Sequence, residues 1–303
     1  MVIIPNYKKI FGYLKTKGVK EFFDVSFGAD ITTWAYLKYI GKGYKNTYIS
    51  QPCPAIVNYI EKLKPELIEH LIPVQSPMMC AAIYYKEYQK VEDKLAFLSP
   101  CIAKKDEMEV DENRCYISYN ITLGKIIKYI EKEGIKLDSY EEVDFRDGNV
   151  LGFLYSRPGG LRENVEAITQ DLWLRQVEGQ HLVYNYLNNY SDRIQEGKDV
   201  PLLVDALNCE FGCNVGTGIG DKKIEIDVVD NRLNTIKKTK KKKEILKIHK
   251  SFNKKLKLED FIRTYKNNKL RDSISNISAI IEETTAEDEE ITATILTLTG
   301  EGK

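Results

Sequence analysis

Two cysteines, Cys209 and Cys213, sit four residues apart in Val204–Gly220, which reads VDALNCEFGCNVGTGIG. On a helical turn, side chains at that spacing share one face. Two thiolates so placed can hold one metal cluster but leave its ligand shell incomplete, because an iron–sulfur cube takes four cysteines. The chain has four more: Cys53, Cys80, Cys101 and Cys115. Cys53 lies in Ser50-Gln51-Pro52-Cys53-Pro54 and Cys101 in Ser99-Pro100-Cys101. Each follows an apolar run and a proline. Each is therefore expected at the carboxyl end of a strand, where open α/β sheets gather their ligands. Disulfides are the competing use of six cysteines, but no secretory signal precedes them and the chain is not small. Cys80 and Cys115 read as packing or structural residues. The three histidines, His70, His181 and His249, have no metal-ligand spacing with one another.

The elements that position these residues read as strands alternating with helices. A helix over Tyr7–Lys17 closes at Gly18. Glu21–Phe27 has the aromatic and Val content of a buried strand. Gly28-Ala29-Asp30 reads as a turn into a helix, Ile31–Ile40, stopped by Gly41-Lys42-Gly43. Tyr44–Ser50 reads as a strand, and Pro54 as the first residue of a helix continuing over Ala55–Lys64. Ser76 and Pro77 start a helix over Met78–Lys90. Leu95–Leu98 and Cys115–Tyr119 read as strands. Thr122 caps a helix, Leu123–Glu133, and another helix runs from Leu161 to near Leu174. Gln176–Tyr190 fits either an amphipathic helix or part of a strand. Leu202–Ala206 is an apolar strand leading into the paired cysteines. The expected fold class is α/β: two lobes of mixed or parallel sheet, flanked by helices, around a metal-cluster cleft.

The 303 residues suffice for one two-lobed domain or two domains. Lys+Arg and Asp+Glu both number 45, so no net field argues for nucleic acid or a membrane surface. No apolar run reaches membrane-spanning length. A soluble, cytoplasmic protein is expected. The expected boundary falls after residue 221. Residues 1–221 would bind the cluster, and 222–303 would be a basic, largely helical or flexible tail. Lys240–Lys243 are consecutive, while Ile281–Glu290 is acidic. Phe252, Phe261 and Tyr265 are too few aromatics to argue for nucleic-acid binding.

SQPCP, SPCIAKKDE and CEFGC, in this order, resemble the three signature segments of the [FeFe] hydrogenase catalytic region. Those segments are two cysteines before a proline; Pro-Cys, two residues, Lys, two residues, Glu; and Cys-x-x-x-Cys before glycines. FGADIT at Phe27–Thr32 and PAIVNYIEKLKPELIEHL at Pro54–Leu71 carry the resemblance further, and it covers roughly Met1–Gly220. It implies an H-cluster. Cys53, Cys101, Cys209 and Cys213 would ligate a 4Fe-4S cube. Cys213 would bridge it to a two-iron subcluster bearing CO, CN and a dithiolate. Lys104 would bond a cyanide, Glu107 would orient Lys104, and Ser76 would belong to the proton route. Gly212, Gly216 and Gly218 would let backbone N–H groups approach sulfide and cyanide. Arg157, in the Arg157-Pro158-Gly159-Gly160 turn, would face the cleft. The implied reaction is reversible H2 oxidation and proton reduction.

The departures from the family pattern are as informative. Pro52 stands where the most active members have a proton-relaying cysteine, and proline has neither a side-chain proton nor a backbone N–H. Ile31–Pro52 contains no Asp or Glu, so the upstream relay acids are missing too. Ser99 and Leu207 replace methionines that pack on the two-iron unit, and Phe211 replaces a glycine. These changes match divergent, sensory members of the family, which would turn over slowly in an anaerobe. The family's N-terminal Ala-Pro-Ser strand and ferredoxin-like domains have no counterpart, so the chain is expected to be a fragment or to start atypically. Implied partners are H2 and protons, an electron carrier such as ferredoxin or a missing accessory iron–sulfur domain, maturation proteins and a signalling partner. Two other readings stay open: a non-catalytic 4Fe-4S scaffold for iron–sulfur assembly, and an H2-responsive regulatory module.

Overall fold

The computed structural model describes residues 4, 6–110, 112–169, 171–220 and 224–268. Helix α1 (Tyr7–Thr16) stops just before Gly18, whose φ of +97° suits glycine. Residues 19–24 have no regular structure, and α2 (Val25–Ile40) follows. The strand expected at Glu21–Phe27 is therefore absent. Asp24 is the reason at its carboxyl end: its side chain accepts from Ser26 N (2.9 Å) and caps α2. Residues 19–24 also have no strand beside them; they line the same cavity as Ala96–Leu98.

Gly28 lies inside α2 rather than in a turn. A Cβ there would stand 2.1 Å from Pro77 O and 2.8 Å from the Ala81 Cβ. Glycine lets α2 pack backbone to backbone against α4 (Pro77–Ile83). Gly28→Ala is expected to destabilise the fold by about 1–3 kcal/mol through overpacking. Differential scanning calorimetry would show this as a lowered melting temperature, and an unchanged one would refute the close approach.

Between those helices come β1 (Tyr48–Ile49) and α3 (Pro54–Leu63), with Pro54 at its first turn. Ser76 Oγ accepts from Met79 N (3.5 Å) and caps α4, which runs on into a π-helical turn, Tyr84–Tyr88. Then come β2 (Ala96–Ser99), α5 (Lys104–Glu109) and β3 (Tyr119–Thr122). The last begins four residues later than expected, because bonds from Asn113 N and Arg114 N to Val110 O curl the chain before it. Helix α6 (Leu123–Lys132) ends near Gly134, and α7 (Gly160–Ile168) is shorter than expected. The ambiguous stretch divides into β4 (Leu174–Glu178) and α8 (Gln180–Gln195), broken at Gly179 with φ +86°. Strand β5 (Leu203–Leu207) is buried throughout.

Two parallel sheets result. One has the order β1-β5-β4, with Tyr48 and Leu174 both opposite Leu203; the other pairs β2 with β3, Ala96 opposite Tyr119. Asp30, in α2, is buried and accepts N–H bonds from Val150 (2.8 Å), Leu151 (3.1 Å) and Gly152 (2.8 Å). Burial pushes its carboxyl up to about 7, against those three bonds. This tie brings Gly152 and Phe153 to the site cavity.

The expected boundary after 221 does not separate a tail from the rest of the described chain. Helices α9 (Ile226–Thr239) and α10 (Lys242–Lys255) follow. Phe252, Leu256, Leu258 and Phe261 join Phe27 and Trp34 in one core cluster. Trp34 Nε1 donates to Asn253 Oδ1 (2.8 Å), and Val74 pairs with Ile262 in an antiparallel bridge. The basic composition hides an apolar stripe: Ile245, His249 and Phe252 recur at helical spacing and are buried. Burial lowers His249 to about 4, as fits a packing residue. The acidic stretch Ile281–Glu290 lies outside the described residues.

Candidate metal centre

The site is assembled from three strand ends. Cys53 follows β1 at the N-cap of α3, Cys101 follows β2, and Cys209 follows β5. Cys209 and Cys213 do not share a helical turn. Residues 208–211 bend, and Cys213 opens a short 3-10 turn, Cys213–Val215. Ser99 Oγ donates to Cys101 O (2.7 Å) and accepts from Cys101 N (3.0 Å), which pins the loop after β2. The Ser99 hydroxyl is thus turned onto its own chain and is not part of the cavity wall, unlike Leu207. Thr217 Oγ1 accepts from Ile102 N (3.2 Å) and ties the glycine stretch to the Cys101 loop.

The glycines serve a different contact from the one expected. The N–H of Gly212 bonds Cys209 O, that of Gly216 bonds Cys213 O, and that of Gly218 bonds Pro100 O. All three donors are engaged by carbonyls. What requires glycine is backbone approach. A Cβ on Gly216 would lie 2.4 Å from Pro100 O, and one on Gly218 would lie 2.8 Å from Cys101 N. Gly212 has φ +74°, and its Cβ would meet Ser156 O at 2.5 Å. These glycines lock two cysteine loops and the 156–158 turn together.

Cys53, Cys101, Cys209 and Cys213 all line one cavity of about 680 Å³, together with Pro52 and Lys104. All four are free thiols. Burial pushes the thiols of Cys53, Cys209 and Cys213 up, and the neighbouring cysteines add to the rise in each. Among the described residues, no three His, Cys, Asp or Glu side chains could hold a single metal ion. A four-iron cube spreads its ligands wider than one ion does. Four soft sulfur donors around a roomy cavity fit a cube. Of the donors expected to serve a two-iron unit beside it, Lys104 and the three glycine N–H groups are already engaged.

Lys104 shows this. Its Nζ donates to Pro52 O (3.0 Å), Ser76 Oγ (3.3 Å) and Glu107 Oε2 (2.5 Å), which occupies all three ammonium protons. Glu107 is fully buried, not a surface residue. Ser76 is buried behind Lys104 and does not itself line the cavity. Motif reasoning missed Arg263, a buried cation whose Nη1 stands 3.6 Å from Glu107 Oε1.

Other candidates lie elsewhere. Cys80 is buried; its thiol donates to Gln75 O (3.2 Å) and is pushed up to about 12 by burial. Cys115 is exposed and takes no part in the core. Arg157 does not face the cavity. Its guanidinium bonds Glu163 Oε1 (2.6 and 3.0 Å) and Asn234 Oδ1 (2.9 Å), fastening α7 to α9. His70 is buried against Thr47 O (3.3 Å) and His181 is exposed. Phe211 is exposed and does not line the cavity.

The model of the family described as "Iron only hydrogenase large subunit, C-terminal domain" matches residues 5–200. Cys53 and Cys101 fall inside the match; Cys209 and Cys213 lie beyond it. Iron hydrogenase 1 of Clostridium pasteurianum is 27% identical over 199 residues, which is 56% of this chain and 35% of the relative. The chain therefore spans about a third of the length of that curated relative. Solved structures of [FeFe]-hydrogenase HydA1 from Chlamydomonas reinhardtii superpose with a TM-score of 0.65 at 17% identity, covering 87% of this chain and 88% of theirs. An apo form of HydA1 gives a TM-score of 0.64, also at 17% identity and with the same coverage. At that identity the structures speak for the fold alone. Through the family match, the chain belongs to the iron-only hydrogenase large subunit family, as a version of its C-terminal domain.

Proposed function

We propose that this domain holds an H-cluster and works as a slow, sensory hydrogenase in the cytoplasm, interconverting H2 with protons and electrons. The observation that supports this reading is the convergence of four thiols from three strand ends on one cavity, with Lys104 at its wall. In this reading Cys53, Cys101, Cys209 and Cys213 hold the cube, and Cys213 also holds the two-iron unit. When bound, that cluster supplies the metal site at which H2 is split and formed. The chain's own part is to bind, to orient and to exclude water. Lys104 places a positive charge beside the cavity, fixed by the Pro52 carbonyl and Glu107. Ser76 Oγ offers a buried hydroxyl, one side chain behind Lys104. Pro52 offers none. Electrons would pass to a carrier such as ferredoxin. No helix among the described residues is long and apolar enough to cross a membrane.

One observation favours a second reading, a chain that keeps only the cube and acts as an iron–sulfur scaffold. The Lys104 protons and the three glycine N–H groups are already engaged, so a cyanide-bearing unit has few free donors. Infrared spectroscopy separates the two. The chain would be reconstituted anaerobically with iron, sulfide and a synthetic two-iron complex. Sharp CO and CN bands that respond to H2 are the expected result. Cube absorbance without those bands would overturn the hydrogenase reading in favour of the scaffold.

A further inference from the structure

Arg263 reaches the site from the part of the chain expected to be a tail. It is 4% exposed. Its backbone N–H bonds Pro73 O (3.2 Å), and its guanidinium lies over the Tyr265 ring at 5.0 Å. Tyr265 OH in turn donates to Ile72 O (2.7 Å), and Gln75 N donates to Phe261 O (2.8 Å). The arm Leu258–Tyr265 is thus laced to residues 72–75, directly before Ser76. Glu107 lies between two cations: Oε2 takes the Lys104 proton and Oε1 faces Arg263 Nη1 at 3.6 Å. Arg263 Nε and Nη1 and Glu107 Oε1 are buried without a hydrogen bond. The second pair is held by charge and not by a bond.

Lys104 and Glu107 alone would be a neutral pair. With Arg263 the three groups, two of them buried and Lys104 partly so, carry one formal net positive charge. We infer that Arg263 is a positioning residue: it draws on the Glu107 carboxylate, leaves the Lys104 charge expressed toward the cysteine cavity, and so raises the reduction potential of the cube held there. The inference rests on the proposed cube. Buried charges act strongly on one another because little solvent screens them, and the potential of an iron–sulfur cluster follows the charge around it. The C-terminal arm then has an electrostatic hold on the metal site through Glu107 and Lys104. Any partner that displaced the arm would shift the cluster's redox poise.

The test is an anaerobic potentiometric titration of the reconstituted cube, followed by electron paramagnetic resonance. Iron and sulfide content are measured first in every chain. Arg263→Gln is expected to shift the reduced-to-oxidised ratio at fixed potential about tenfold toward the oxidised form, which is 59 mV for one electron. Glu107→Gln is expected to shift it the opposite way, and Arg263→Lys to shift it less than Arg263→Gln does, a cation being kept without the stacked guanidinium. Opposite signs are something a merely structural disturbance would not produce. Arg263→Leu replaces Arg263→Gln if the latter does not load. An unchanged midpoint in a loaded, charge-free variant overturns the inference. So do shifts of the same sign in Arg263→Gln and Glu107→Gln. If neither charge-free variant loads while Arg263→Lys does, Arg263 only maintains the fold and the inference is overturned. A wild-type chain that takes up no cube overturns the proposed function and the inference together.

Discussion

Serine at any one of positions 53, 101, 209 or 213 is expected to abolish the four-iron cube. Anaerobic reconstitution of the wild-type chain should give about four irons and four sulfides per chain, with the broad visible absorbance of a cube. Each single variant should fall to background. Serine differs from cysteine by one atom, but a hydroxyl is a hard, weakly acidic ligand and does not hold iron as a thiolate does. The three loops that carry the four cysteines are pinned by bonds such as those of Ser99 and Thr217, so none can bring a substitute sulfur forward. Cys80, the one buried spare cysteine, lies in α4 outside the cavity wall, with its thiol bonded to Gln75 O. Cys80→Ser keeps a donor for that carbonyl and is expected to load fully, as is Cys115→Ser. A normal cube in any of the first four variants, or its loss in either of the last two, would refute the assignment.

Pro52→Cys is expected to raise H2 turnover of the fully loaded protein by a factor on the order of 10², within the range that a positioned acid–base group contributes. Pro52 lines the cavity between the Cys53 loop and Lys104, and its carbonyl already accepts the Lys104 proton. A cysteine there keeps that carbonyl and adds a proton at Sγ, where proline has none. It also restores a backbone N–H, which a fixed loop of this kind tolerates. The gain is bounded by the next step outward. Ile31–Pro52 has no carboxylate, so a thiol at 52 must be recharged through Ser76 or through water. Turnover should be read as isotope exchange between H2 and D2O at equal cluster content. A rate unchanged within about twofold would place the limit beyond position 52.

The Cys53 and Cys101 loops were legible in the sequence because proline marks where a strand must end, and β1 and β2 do end just before Pro52 and Pro100; β5 ends at Leu207 without one and was legible as an apolar run. The helices that begin at Pro54 and Pro77 were legible for a related reason, since a missing N–H does no harm in a first turn. The start of α2 was not. Phe22, Phe23, Val25 and Phe27 favour a strand locally, but α2 begins at the Asp24 cap and residues 19–24 have no strand to pair with. Gly28 read as a turn because its reason, the backbone of α4, is nearly fifty residues away. The glycines after Cys213 were expected to face a cluster and instead face Pro100 and Cys101. Arg263 was the hardest to find. It sits in a basic run where one arginine looks like any other, and its contact with Glu107 spans 156 residues.

Drawing ligands from three strand ends also sets when the site can exist. Tyr48 pairs with Leu203 across most of the described chain, and such distant pairings form slowly. Cys53 and Cys213 are separated by 160 residues. At about 5–20 residues per second, synthesis of that interval alone takes roughly 8–30 s. During that time Cys53 and Cys101 have emerged as ordinary reactive thiols with no cavity around them. If the proposed cube is held there, insertion of iron and sulfide would follow translation, and the nascent chain would need a reducing surrounding until Cys213 is in place.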